Sequence, residues 1–208
     1  MIFDDWDSPY LTDTAPWDIG RPQAVWVRLA DDGEITSPVL DCGCGTGENA
    51  LMLADRGMDV LGIDVAPTAI GRARDKAVER EQHAEWVVGD VLALDQLGRT
   101  FATVIDSCLF HVLDDEERSR YAAGLASVLE LNGVLHLLCM SEHTPGDEGP
   151  RRVTQDEIRA IFADGWEIDR IEPARIDVKP DFPFEPPHAW LARIVHKVRP
   201  RGPGTSRR

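Results

Sequence analysis

Between Pro38 and Met140 the chain alternates two kinds of pattern. Short apolar runs at Pro38–Asp41, Asp59–Ile63, Ala84–Val88, Phe101–Ile105 and Val134–Met140 have the length of strands. Thr46–Arg56, Pro67–Glu81 and Asp114–Leu131 instead repeat their apolar residues at helical spacing, and Pro67 stands where a first helical turn tolerates proline. Strands separated by helices of this length predict crossover units and a parallel sheet. Beyond Met140 the pattern changes. "SEHTPGDEGPRR" reads as a loop, and "TQDEIRAIFADG" as a helix with Thr154 and Glu157 as a capping box. Two further strand-like runs, "WEIDRIEPARIDV" and "HAWLARIVHKV", are joined by "KPDFPFEPP". That link is too short for a crossover helix, so the pair is predicted antiparallel.

The fold class expected is therefore α/β: a mostly parallel seven-stranded sheet closed by an antiparallel C-terminal hairpin. Residues 1–20 read as an irregular arm rich in Asp, Pro and Trp, and "RPQAVWVRLADDG" as a short amphipathic helix ending at Gly33. This divides the chain into an arm and helix over 1–35, a main domain over 36–198 and a tail over 199–208.

With 208 residues, 43 % of them apolar, the chain has material for one sizeable domain. No stretch is long and apolar enough for a membrane span, and the acidic start has no basic segment leading into an apolar run, so no signal peptide is expected. Cys42, Cys44, Cys108 and Cys139 have neither disulfide nor metal-ligand spacing. A cytoplasmic protein without a metal is the expectation, as a monomer or homodimer. The net charge is −15, and setting aside the four arginines of the tail "RPRGPGTSRR" leaves −19 on the remainder. Repulsion of that size opposes nucleic acid and anionic membranes as partners. The tail's Gly, Pro and Ser content reads as disorder.

The run "VLDCGCGTGENAL" carries the candidate chemistry, because a strand, a glycine loop and a helix in this order form a ligand site in an open parallel sheet. A phosphate loop of the Walker type requires a lysine, and none lies between Pro38 and Asp75. A dinucleotide fingerprint counted from Gly43 and Gly45 meets Glu48 where its third glycine belongs, and a carboxylate there would repel a pyrophosphate. A third ligand suits the residues better. Asp41, Asp64, Asp90 and Asp106 each fall at or just beyond the end of a predicted strand, so four carboxylates converge on one edge. Such an edge attracts cations and hydrogen-bond donors. S-adenosylmethionine offers a sulfonium, an ammonium, ribose hydroxyls and an adenine amine.

With Asp64 twenty-one residues past Gly43, "GDV" at Gly89–Val91 and "VIDSCLFHVL" at Val104–Leu113, the chain resembles the class I S-adenosylmethionine-dependent methyltransferases over roughly residues 36–140. The segment "PWDIGRPQ" is similar to the arm of thiopurine, tellurite-resistance and heterocyclic-toxin methyltransferases. The resemblance implies a Rossmann-like fold with helices on both faces. It also implies methyl transfer to O, N or S of a small acceptor, in a detoxifying role, leaving S-adenosylhomocysteine. Gly43, Gly45 and Gly47 would let the backbone approach the methionine part, and Asp41 would order that loop or meet the ammonium. Asp64 would hold the ribose hydroxyls, with Val65 packed on adenine. Asp90 and the Val91 N–H would read the adenine edge. Asp106, or its carbonyl, would sit near the ammonium, and Trp17 would close over the cofactor.

For the acceptor, His111 is the candidate general base, competing with a packed histidine at a helix start; His143 and His188 lie on loops reaching the same edge. Trp6, Tyr10 and Trp17 of the arm, with Phe182, Phe184 and Trp190 among prolines, would make a stiff apolar lid. That lid suits a flat, apolar aromatic or heterocyclic acceptor. Two other readings stay open: an NAD(P)-dependent oxidoreductase, and a protein that binds S-adenosylmethionine without turnover.

Overall fold

The computed structural model describes residues 5–197; the basic tail lies outside the described residues. Seven strands form one sheet in the order β3-β2-β1-β4-β5-β7-β6. Val39–Cys42 (β1), Val60–Asp64 (β2), Glu85–Val88 (β3), Phe101–Ser107 (β4) and Leu129–Met140 (β5) run parallel. Trp166–Arg175 (β6) and His188–His196 (β7) add the antiparallel hairpin, with β7 against β5. The chain builds outward from β1 to β3 and then returns to place β4 on the other side of β1. The strand order therefore reverses between β1 and β4, where a ligand crevice opens in such sheets.

Glu48–Asp55 (α3) and Pro67–Glu79 (α4) cross over one face, whereas Asp115–Val128 (α5) and Gln155–Ile161 (α6) cover the other. Alternation along the strands divides the core accordingly. Val39 and Ile105 pack with Trp26, Leu29 and Leu53 on the first face. Leu40 and Val104 pack with Phe110, Tyr121 and Leu125 on the second. Asp114 caps α5 and Thr154 caps α6, each in a reciprocal box with Glu117 and Glu157.

Two boundaries differ from the apolar pattern. The return from β3 to β4 runs through 3-10 turns over Val91–Leu97, too short to show a helical repeat. Helix α5 stops at Val128 rather than Leu131, because Leu129 already pairs with Phe101 in the sheet. Asn132, at φ 64°, and Gly133 then absorb a register shift before regular pairing resumes at Thr103 and Val134.

The arm is not loose. It contains one helical turn, Ser8–Leu11 (α1), and leads into Ala24–Asp31 (α2). The Asp7 carboxylate accepts both the backbone N–H and the hydroxyl of Thr68 in the first turn of α4, at 2.7 Å each. Arg72 donates to the Tyr10 carbonyl at 2.6 Å, and the Thr46 hydroxyl donates to Asp18 at 2.6 Å. Gln23 clamps the Asp177 backbone in both directions, at 2.9 and 2.7 Å, tying α2 to the segment after β6. No described helix is long and apolar enough to cross a membrane.

Candidate functional site

The four carboxylates do share one rim. Asp41 and Asp106 lie in β1 and β4, Asp64 ends β2, and Asp90 follows β3 by two residues. Parallel strands put all of these ends on the same edge. Register decides which way each turns. Asp41 pairs with Ile105 and Cys42 with Asp106, so Asp41 and Asp106 point to opposite faces of the sheet.

Asp41 is fully buried beneath the glycine loop, and no hydrogen bond of good geometry satisfies either carboxylate oxygen. Burial raises its pKa, and Asp64 and Asp106 raise it further, with the Ala50 N–H giving partial relief. Asp64, 8 % exposed, accepts the Gly45 N–H at 2.8 Å and the Ala66 N–H at 2.9 Å. Burial still outweighs those two donors and lifts its pKa. Asp90 is exposed and caps the Val91–Leu97 turn by accepting the Leu92 N–H at 2.8 Å, while Val91 is buried.

Asp106 accepts the N–H groups of Leu109 and Phe110 at 2.9 and 3.2 Å through one oxygen; the other has no partner. Burial pushes its pKa up to about 7, against the pull of those donors and Tyr121. Between about pH 4 and pH 7 the folded protein thus holds a proton that the unfolded chain has released. Stability from this group is full below that range and declines as pH rises through it. Asp106→Asn is expected to flatten part of the decline, leaving the variant a few kcal/mol more stable than the parent at pH 8 relative to pH 5. Urea unfolding at the two pH values checks this; parallel losses in both proteins would refute it.

The glycines divide their labour. A Cβ on Gly45 would stand 2.9 Å from the Tyr10 hydroxyl, and one on Gly43 3.2 Å from Leu109. Both line the mouth of the site. Gly47 faces away from it: a Cβ there would stand 2.5 Å from the Trp86 ring, so this glycine makes room for the core. The absence of a side chain at Gly47 is thus required by packing, apart from any part its backbone takes in holding a ligand. Glu48 needs correction. Lys76 and Arg80 bond its carboxylate at 2.8–3.0 Å and hold its pKa low against burial, so its charge is largely neutralised. Glu48 is therefore a weak argument against a pyrophosphate.

Tyr10 lies beside Asp64. Burial and the Asp64 charge keep its hydroxyl protonated, and the Trp17 indole N–H donates to it at 3.0 Å. Trp6 and Trp17 have ring centroids 6.4 Å apart. The other acceptor-side residues fall into two groups. His143 meets the Trp190 ring edge-on at 5.2 Å, and the His188 carbonyl accepts from Ser141 and Thr144. Phe182 and Phe184 pack on each other at 5.6 Å, with Phe184 exposed. Lys179, at the head of that segment, donates its backbone N–H to Pro16 at 2.9 Å, so flap and arm meet.

His111 does not have the environment of a base. It is 4 % exposed, and its Nδ1 accepts the Met140 N–H at 2.9 Å. Burial, then the charges of Arg118 and Arg152, push its pKa down to about 3. Neither arginine stood out along the chain, because an arginine in a helix or loop carries no local sign that folding will bury it or wrap it in carbonyls.

The rim fits a cationic nucleoside. Buried oxygens without a partner at Asp41 and Asp106 are free to accept from an ammonium, whose charge would favour their ionised forms; Asp64 and Asp90 retain accepting capacity, and Val65 leaves 51 % of an apolar surface open between them. Comparison with known proteins agrees. Residues 39–133 match the family described as "Methyltransferase domain". The chain is 36 % identical over 164 residues to the 2-heptyl-1-hydroxyquinolin-4(1H)-one methyltransferase of Mycobacteroides abscessus, covering 77 % of this chain and 72 % of the relative. Among solved structures, one from work on the conversion of a disulfide bond into a thioacetal group during echinomycin biosynthesis superposes with a TM-score of 0.84 at 35 % identity, covering 92 % of this chain and 90 % of that one. Magnesium protoporphyrin IX methyltransferase from Synechocystis PCC 6803, with bound S-adenosylmethionine, gives 0.65 at 25 % identity over 84 % and 77 %. These matches set aside both the oxidoreductase and the protein without turnover. The chain belongs to the class I S-adenosylmethionine-dependent methyltransferases, and S-adenosylmethionine is its cofactor.

Proposed function

We propose that this enzyme methylates O, N or S of a small, flat, apolar aromatic or heterocyclic acceptor, a reaction that would detoxify such a ring. The observation that carries the reading is the 36 % identity to a methyltransferase named for a hydroxyquinolone. The aromatic flap and arm around the rim support it. Bound S-adenosylmethionine supplies an electrophilic methyl on a sulfonium. The chain's own residues bind and orient. Asp64 holds the ribose hydroxyls, Val65 carries the adenine face, and Asp90 with the Val91 N–H reads the adenine edge. Gly43, Gly45 and the Asp41 and Asp106 end of the crevice seat the methionine part. Trp17 and Tyr10 close over it and exclude water. Residues 36–198 form the catalytic domain and 1–35 its lid, acting as a monomer or homodimer in the cytoplasm.

Sulfur is a second acceptor to consider, because the structure related at 35 % identity comes from chemistry on a disulfide. A panel of hydroxyquinolones, phenols and thiopurines with labelled cofactor tests both. Transfer to at least one ring class is expected, and uniformly zero transfer would remove the aromatic acceptor.

A further inference from the structure

His111 lies in the turn Phe110–Val112, which follows β4 and packs against the end of β5, beside the strand reversal. Its Nδ1 lone pair is taken by the Met140 N–H. A neutral ring so held carries its own proton on Nε2. Among the described residues Nε2 makes no hydrogen bond, yet it is not one of the polar atoms sealed away from the surface. It is a donor waiting for an acceptor.

The charged groups acting on this ring are Arg118 from α5 and Arg152 from the loop after β5. Arg118 is 1 % exposed, lies 4.7 Å over the Phe110 ring and donates Nε to the Phe110 carbonyl at 3.1 Å, while its Nη2 has no partner. Arg152 is held by the carbonyls of Pro145, Gly146, Glu148 and Pro150, at 2.6–3.3 Å. Arg118 Nη1 also faces the Glu157 carboxylate at 3.5 Å, which offsets part of its charge, so in a chain of net charge −15 the ground beside the acidic rim is less negative than the rim itself. Asp106, five residues before His111, turns to the Leu109 and Phe110 N–H groups. One edge therefore places an acidic seat beside one on which two guanidiniums act.

Resting on the aromatic-acceptor reading, we propose that His111 is a fixed hydrogen-bond donor to the atom receiving the methyl, and that the site selects heteroaromatic acceptors arriving as the oxyanion or thiolate. The acceptor's lone pair forms the new bond to the methyl carbon as the carbon–sulfur bond of the sulfonium breaks, with that pair remaining on sulfur. Anion and cation become two neutral products, and no proton moves. The low ring pKa, about 3, keeps His111 a donor throughout the working pH range. The pH dependence of kcat/KM then follows the ionisation of the acceptor.

The test uses the full chain with S-adenosylhomocysteine and two probes, 1-hydroxyquinolin-4-one and 6-mercaptopurine, whose ionisation is read by absorbance. The bound probe's pKa is expected to fall by about one unit or more, the size of a single charge-assisted hydrogen bond. The probe that shifts identifies oxygen or sulfur. Nitrogen-15 spectra should show an Nε2–H tautomer for His111 from pH 5 to pH 8. His111→Leu should lose the probe shift and about 100-fold in kcat/KM, as for removal of one oriented donor. His111→Gln, which can still donate, should lose less of both. A bound pKa that is unchanged or raised, or an imidazolium at pH 6, overturns the proposal while leaving methyl transfer to the ring intact. Absence of transfer to every ring overturns the parent reading and this one with it.

Discussion

Gly47→Ala is expected to destabilise the fold by about 3 kcal/mol or more, through overpacking and backbone strain together. The new Cβ would stand 2.5 and 2.8 Å from two atoms of the Trp86 ring and 2.9 Å from the Ala73 Cβ, and the backbone is at φ 84°. The same ring also packs closely on Gly62, where a Cβ would stand 2.7 Å from it, so it has little room to shift. Trp86→Leu in the Gly47→Ala background should restore part of the loss by making room. Urea unfolding of the two single variants and the double variant measures the coupling. A Gly47→Ala protein as stable as the parent would show that this glycine serves the ligand and not the core.

Asp64→Ala should act on binding. It removes the acceptor of the Gly45 and Ala66 N–H groups along with the partner proposed for two ribose hydroxyls. Hydrogen bonds to a charged group contribute about 1.5–3 kcal/mol each, so affinity for S-adenosylhomocysteine should fall by about 100-fold or more. Calorimetry gives the affinity, and a thermal melt without ligand separates it from the stability lost with the two orphaned N–H groups. Asp64→Asn keeps one accepting oxygen and should lose less. Unchanged affinity in Asp64→Ala would take Asp64 out of the cofactor seat.

The two substitutions show where local sequence is informative and where it is not. Asp64 is legible because it closes an apolar run just before the proline-led helix α4, and in a parallel sheet every such strand end reaches the same rim. Gly47 is legible as part of a glycine loop, but its reason is not. Trp86 arrives from β3, thirty-nine residues away, and only side-chain packing across β2 brings it there. His111 misleads for a related reason. A histidine after the fourth strand has the type and position of a base, and the Met140 N–H and two arginines that disqualify it come from three other segments.

Local sequence accounts for the alternation of strands and helices, the hairpin that ends the sheet, and the row of aspartates at the strand ends. These follow from short-range periodicity and chain direction, which a reader of residues can count. Long-range packing sets which way each carboxylate faces, which charges are cancelled and which ring nitrogen is left to act. Those depend on register and on burial by distant segments. A one-residue step along β4 separates Ile105, level with Asp41, from Asp106, turned to the other face, and no local pattern records that step.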